Sequence, residues 1–149
     1  TPHAGEACAL AQRLGYRVTR AEIEAEPLHW ATTLAAETGA TVLLKGDTTV
    51  IAPPQGLPLT MTHGTAALAT AGSGDTLTGI LGALLAQKVA AAAQRGTPLE
   101  DDVYARVAAL AVYLHGRAAL ASLGGRRGPV PPTRVVQSLP QAIAELLEY

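Results

Sequence analysis

Thr70-Ala71-Gly72-Ser73-Gly74-Asp75-Thr76 is the stretch on which the reading of this chain turns. It is small-residued, carries one acid, and runs into an amphipathic helical pattern. Leu77, Ile80, Leu81, Leu84 and Leu85 stand at the i, i+3, i+4, i+7, i+8 spacing of one helix face. Gly and Ser at a helix start leave backbone N–H groups open and let a ligand come close. The helix dipole adds positive potential there, which favours phosphate. Asp75 falls in the first turn. The residues by themselves allow two readings: a phosphate-binding loop with a carboxylate base beside it, or a glycine-rich turn followed by an ordinary first-turn acid. Short glycine patterns do not separate them.

Around that stretch, 149 residues suit one domain with a sizeable core. Aromatics make up only 3% and Phe is absent, so the core has to be built from Ala, Leu, Val and Ile. A formal net charge of −1 and no basic run argue against nucleic-acid binding. Arg126-Arg127 lies in a glycine-rich loop and reads as solvated. The single cysteine, Cys8, rules out an intrachain disulfide and fits an intracellular, cytoplasmic protein. It lies on an apolar helix side and reads as a small core residue. The longest apolar segment, Ile80 to Ala93, is broken by Gly82, Gln87 and Lys88, and reads as too short and too polar to span a membrane. The 4 histidines are scattered, without paired metal-ligand spacing, and no metal ligand is named.

In order, the chain opens at Thr1-Pro2-His3-Ala4-Gly5-Glu6, and Glu6 to Leu14 reads as a helix stopped by Gly15. Thr19 and Glu22 have capping-box spacing for a second helix. Pro27 can open a third, Leu28 to Thr38, closed by Gly39. Thr41 to Lys45 reads as a buried strand, Thr48 to Ala52 as a second and Leu57 to Thr62 as a third, joined by tight turns and therefore antiparallel. The helix after Asp75 reaches about Arg95, and Gly79 and Gly82 within it suggest close packing on a sheet or a partner. A further helix runs from Glu100 to Leu123. The last is expected from Pro140 to Leu147, with Ser138 and Gln141 at capping-box spacing. Helices before and after a small sheet indicate a layered α/β domain.

Set side by side, several segments resemble the ADP-dependent NAD(P)H-hydrate dehydratases, repair enzymes of ribokinase-like fold. Thr1-Pro2-His3-Ala4-Gly5-Glu6 resembles their TPHPGE motif, and Leu44-Lys45-Gly46-Asp47-Thr48-Thr49-Val50-Ile51 their LKG-x-x-T-x-I segment. Gly64 to Ile80 resembles their long loop-to-helix signature, and Val112-Tyr113-Leu114-His115-Gly116 a helix motif written VYLHG. The motifs occur in the family's order across almost the whole chain. Ala4 stands where the family usually has Pro, and Thr65-Ala66 where Asn-Pro is common. The family domain also begins well upstream of TPHPGE. The resemblance therefore implies a ribokinase-like layered α/β/α fold of which residues 1–149 form only the C-terminal part, the N-terminal part being supplied elsewhere. Lost strands would leave sheet edges and apolar faces uncovered.

What the resemblance implies chemically is the ADP-dependent dehydration of hydrated NADH or NADPH, with release of AMP and phosphate. Asp75 would be the catalytic base and would also touch the substrate. His3 would contact the substrate. Lys45, Gly46, Asp47, Thr48, Thr49, Gly72, Ser73 and Gly74 would bind the nucleotide, with Mg2+ as its counter-ion. His115 reads as a buried, hydrogen-bonded histidine, His63 as a surface one, and Trp30 as a packing residue. The family and the Gly- and Ala-rich helices suggest a homo-oligomer. Two other functions stay open: a ribokinase-like kinase of a small alcohol, and a nucleotide-binding module without turnover.

Overall fold

The computed structural model describes residues 1–62, 64–100 and 102–148, so His63 lies outside the described residues. The chain separates into two compact units, residues 1–62 with 100–109, and residues 63–99 with 110–149.

In the first unit, α1 (Ala4–Arg13), α2 (Arg20–Ala25) and α3 (Pro27–Thr38) precede a sheet of β1 (Val42–Leu44), β2 (Thr49–Ala52) and β3 (Leu59–Met61). Each helix start has a visible cause. The Thr19 hydroxyl caps α2 and Glu22 reaches back to the Thr19 N–H, the reciprocal box expected from their spacing. Pro27 sits in the first turn of α3, and Gly39 ends that helix at φ 65°, a conformation glycine adopts freely. The sheet is antiparallel throughout in the order β1-β2-β3, as the tight turns required. Val42 faces Ala52 and Leu44 faces Val50, so one side chain row joins the core under α1 and α3. Leu43 and Ile51, paired between those rows, point the other way and are buried too. Leu34 of α3 and Ile23 of α2 are fully buried in the helix-side core, each contributing about 1.5–3 kcal/mol by burial. Trp30 is buried there edge-on to Tyr16 at 5.7 Å, a packing residue as expected. Cys8 packs partly buried against the same core.

In the second unit a short 3-10 helix, Ala66–Leu68, leads to α4 (Ser73–Arg95). There follow α5 (Val103–Leu123), which begins in the first unit, and α6 (Pro132–Leu147). The core gathers Leu114, Ala118 and Ala119 of α5, Val130, and Val135 and Ala142 of α6. Arg126 and Arg127 are exposed, as a solvated loop requires.

Three expectations are corrected. The last helix starts at Pro132, eight positions before Pro140, which lies inside it; the box expected of Ser138 and Gln141 is not its cap. Proline is at home in a first turn, and Val135, Leu139, Ala142 and Leu146 all join the core, so the apolar stripe carries the helix through Pro140. The helix expected from Glu100 starts at Val103. Finally, α4 is 23 residues long, and by length and composition alone it is long and apolar enough to cross a membrane. The broken run looked shorter because the helix also takes in Ser73 to Gly79. Only 17% of its most apolar window is buried. A Cβ at Gly79 or Gly82 would meet nothing within 4 Å, so no described neighbour in this chain uses the room these glycines leave.

Candidate functional site

The site residues named from sequence fall into two groups, one in each unit. In the first unit, His3 is the N-cap of α1. Its Nδ1 accepts from the Gly5 N–H at 3.0 Å and the Glu6 N–H at 3.2 Å, while Glu6 Oε2 accepts from the His3 N–H at 2.7 Å. The stretch Thr-Pro-His-Ala-Gly-Glu is thus a capping box built on histidine. Gly5 leaves the ring its room, since a Cβ there would stand 3.0 Å from His3 Cε1. With Nδ1 accepting, the proton of a neutral ring lies on Nε2.

Pro2 O accepts from the Lys45 N–H at 2.8 Å, and His3 bridges Lys45 in the parallel sense, which sets the start of α1 beside the end of β1. A cavity of about 610 Å³ opens at this junction. His3, Lys45, Gly46, Asp47 and Thr48 line it, so the structure brings these sequence-named residues together. Thr49 starts β2 opposite Met61 and lies outside that lining. Lys45 is a quarter exposed, its Nζ 3.7 Å from Glu6 Oε2. The His3 backbone N–H, helped by the Lys45 charge, holds the Glu6 carboxyl below the usual carboxylate range. Arg20 and Glu24 of α2 also line the cavity, joined by a 2.7 Å Nε–Oε1 bond. Sequence reasoning missed them: the capping box placed Arg20 in the first turn of α2 but carried no sign that this turn faces residues 45–48.

In the second unit, Gly72 is the N-cap of α4 at φ 82°. A side chain there would be strained, and its Cβ would lie 3.2 Å from Pro132 Cγ, so both conformation and space demand glycine. Asp75 lies in the first turn as expected, and Ser73 and Gly74 belong to that turn rather than to a preceding loop. No side chain among the described residues caps this helix start. The Ser73 N–H donates to Thr70 O at 3.2 Å, and Thr76 N–H to Gly72 O at 3.0 Å. The N–H groups of Gly74 and Asp75, within the first turn, have no i−4 helical carbonyl to meet. Asp75 is exposed beside them. The turn is fastened from behind. Thr70 Oγ1 donates to Val130 O at 3.0 Å, Val130 N–H to Ala67 O at 2.9 Å, and the Ser73 hydroxyl lies 3.4 Å from His115 Nε2. His115 is buried and hydrogen-bonded as expected, and burial pushes its ring down to about 4. The arrangement offers open N–H donors at the positive end of a 23-residue helix with a carboxylate alongside, a place for a phosphate and a proton acceptor.

A family model described as NAD(P)H-hydrate dehydratase matches residues 1–141. The chain belongs to the NAD(P)H-hydrate dehydratase family. It is 42% identical over 118 residues to the bifunctional NAD(P)H-hydrate repair enzyme Nnr of Moorella thermoacetica, covering 79% of this chain and 19% of that protein. To the ADP-dependent (S)-NAD(P)H-hydrate dehydratase of Neisseria meningitidis serogroup B it is 40% identical over 119 residues, covering 80% of this chain and 34% of that one. Among solved structures, the ADP/ATP-dependent NAD(P)H-hydrate dehydratase of Bacillus subtilis, co-crystallised with ATP and Mg2+, superposes with a TM-score of 0.74 at 29% identity. It is covered over 46% of its length by 97% of this chain. The α/β class expected from sequence is thereby borne out, and the chain spans less than half the length of these relatives.

The two departures from the family motifs have local explanations. Ala4 occupies the first helical position of α1, where proline is ordinarily accepted, so either residue suits the backbone. Thr65 caps the 3-10 helix, its Oγ1 accepting from the Ala67 N–H at 3.3 Å, a task asparagine performs equally well.

Among the described residues no group of His, Cys, Asp and Glu could hold a metal ion. Magnesium would fit such a chain as the companion of a bound nucleotide's phosphates.

Proposed function

We propose that this chain is the C-terminal part of an ADP-dependent NAD(P)H-hydrate dehydratase domain and supplies its catalytic base. The observation that carries the reading is the uncapped first turn of α4, with Asp75 exposed in it, in a chain of the dehydratase family. Hydroxide is a poor leaving group at neutral pH, and its phosphate ester a good one. In the proposed reaction, Asp75 takes the proton of the hydrate hydroxyl while that oxygen attacks the β-phosphorus of ADP, and the bond to AMP breaks. Phosphate then leaves the ring carbon with its bonding electron pair. Loss of a proton from the neighbouring carbon restores the double bond of NADH or NADPH.

The Gly72–Asp75 turn holds charge on the phosphoryl group through its backbone donors. Lys45 to Thr49 contacts ADP, and His3 offers Nε2–H to the hydrated nucleotide. The rest of the domain comes from a preceding segment or a partner. The short share of each relative that is matched, the β1 edge bridged only at Lys45 among the described residues, and the uncovered flank of α4 support that division. The open sides of Gly79 and Gly82 suit a homo-oligomer, and the lone cysteine suits the cytoplasm.

The test gives hydrated NADH and ADP to the complete domain. Return of NADH absorbance matched by AMP release is expected. A phosphorylated product that accumulates without elimination establishes a kinase instead, and binding of ADP without turnover establishes a nucleotide-binding module.

A further inference from the structure

His115 has no task in that reaction, yet it is the one buried titratable side chain of the second unit among the described residues. It is 5% exposed, and its neighbours in α5, Leu114, Ala118 and Ala119, are core residues. Burying an imidazole among such groups costs free energy unless it is paired. Its partner is Ser73, 42 residues earlier, itself 7% exposed, with Oγ 3.4 Å from His115 Nε2. Ser73 is the first residue of α4, so the contact is made at the turn that carries Asp75. The same residue is tied through its N–H to Thr70 O, and Thr70 in turn to Val130. Ser73 is thus gripped at both backbone and side chain, from two directions. An alanine at 73 and a leucine at 115 would fill the same interior without any polar group.

We infer that His115 is a positioning residue for the phosphate turn: through the Ser73 hydroxyl it fixes the rotation of the first turn of α4. The open N–H groups of Gly74 and Asp75, and the Asp75 carboxylate, thereby keep one orientation toward the phosphates of a nucleoside diphosphate. The ligand in this inference rests on the proposed function. The contact itself does not. A neutral ring serves here in either tautomer, accepting from Ser73 Oγ–H or donating to Oγ. A low basicity imposed by burial keeps it neutral at physiological pH.

The test compares wild type, Ser73→Ala, His115→Gln and His115→Leu in the full-length protein. Three quantities are read: the ring 15N resonances of His115, the ADP dissociation constant by calorimetry, and the thermal midpoint. Ser73→Ala should shift the ring resonances. His115→Leu should weaken ADP binding about five- to tenfold with an unchanged or higher midpoint, as loss of one orienting hydrogen bond predicts. His115→Gln, whose amide can still reach Ser73, should bind ADP within about twofold of wild type. Unmoved ring resonances in Ser73→Ala overturn the inference. So does His115→Leu binding ADP as wild type does, or affinity and midpoint falling together in both His115 variants. A wild-type protein that binds no ADP overturns the proposed function and the ligand named here, while the ring resonances still decide the contact.

Discussion

At the scale of single residues, His3 carries two tasks that can be separated. Its Nδ1 caps α1, while its Nε2, 3.6 Å from Glu6 Oε1, is the atom proposed to meet the hydrated nucleotide. Asparagine caps a helix about as well as any residue but offers no group in the place of Nε2–H. His3→Asn should therefore keep the thermal midpoint of wild type while raising KM for the hydrate about tenfold, whereas His3→Ala should also lose about 1 kcal/mol of stability. Equal KM in wild type and His3→Asn would leave the histidine as a cap and nothing more. His115 gives a prediction of different kind. Its ring titrates near 4 in the folded chain against an ordinary 6.5. Between those values the unfolded chain binds the additional proton, so this contribution is complete above 6.5 and is lost as pH falls toward 4. The loss is of the order of 3 kcal/mol, so the denaturation midpoint should be lower at pH 5 than at pH 7, and His115→Gln should flatten that slope. Both histidines stood out in the sequence by motif membership, and His115 also read as buried and hydrogen-bonded, but the partners of neither were named. That His3 caps α1 follows from Glu6 standing three residues on, a pattern overlooked because histidine is not among the usual capping residues. The Ser73–His115 pairing spans 42 residues, and no local spacing reports it.

Elements were the most legible level where a start or stop signal is chemically strong. Thr19 with Glu22, Pro27 with Gly39, and the tight turns around Gly46 and Pro53 each fixed a boundary within a residue or two. The failure at α6 came from giving proline one meaning. Pro132 opens the helix and Pro140 lies inside it, yet both could have been starts. The long apolar stripe decided for the earlier one. Pro140 removes the donor that Val136 O would have met and sits exposed in mid-helix. Pro140→Ala should therefore stabilise the chain by about 1–3 kcal/mol, read as a higher thermal midpoint. A midpoint unchanged or lowered would mean that Pro140 itself is needed for packing Leu139 and Ala142. Arg20 shows the opposite limit: its helix was foreseen, but the cavity it lines is a tertiary fact.

For the whole molecule, the proposed function gives each of the two groups of site residues a task, and the chain spans less than half the length of its relatives. It covers 46% of the solved Bacillus subtilis dehydratase and 34% of the Neisseria one. The 149 residues alone are accordingly expected to show no return of NADH absorbance from the hydrate. Activity from them unaided would remove the need for a second part. The proposed chemistry was suggested by a small-residue turn ahead of an amphipathic helix, an acid in its first turn and a histidine motif standing in one order along the chain. What the sequence could not disclose was the fastening of that turn by Thr70, Pro132 and His115, which depends on α5 and α6 arriving behind it. The central claim is that Asp75 is the base, and the most direct measurement compares wild type and Asp75→Asn in the complete domain, following NADH absorbance from hydrated NADH and ADP, with ADP affinity measured in parallel. The expected result is a fall in turnover of about 10²–10⁴-fold with ADP affinity little changed. Turnover in Asp75→Asn close to that of wild type would contradict it.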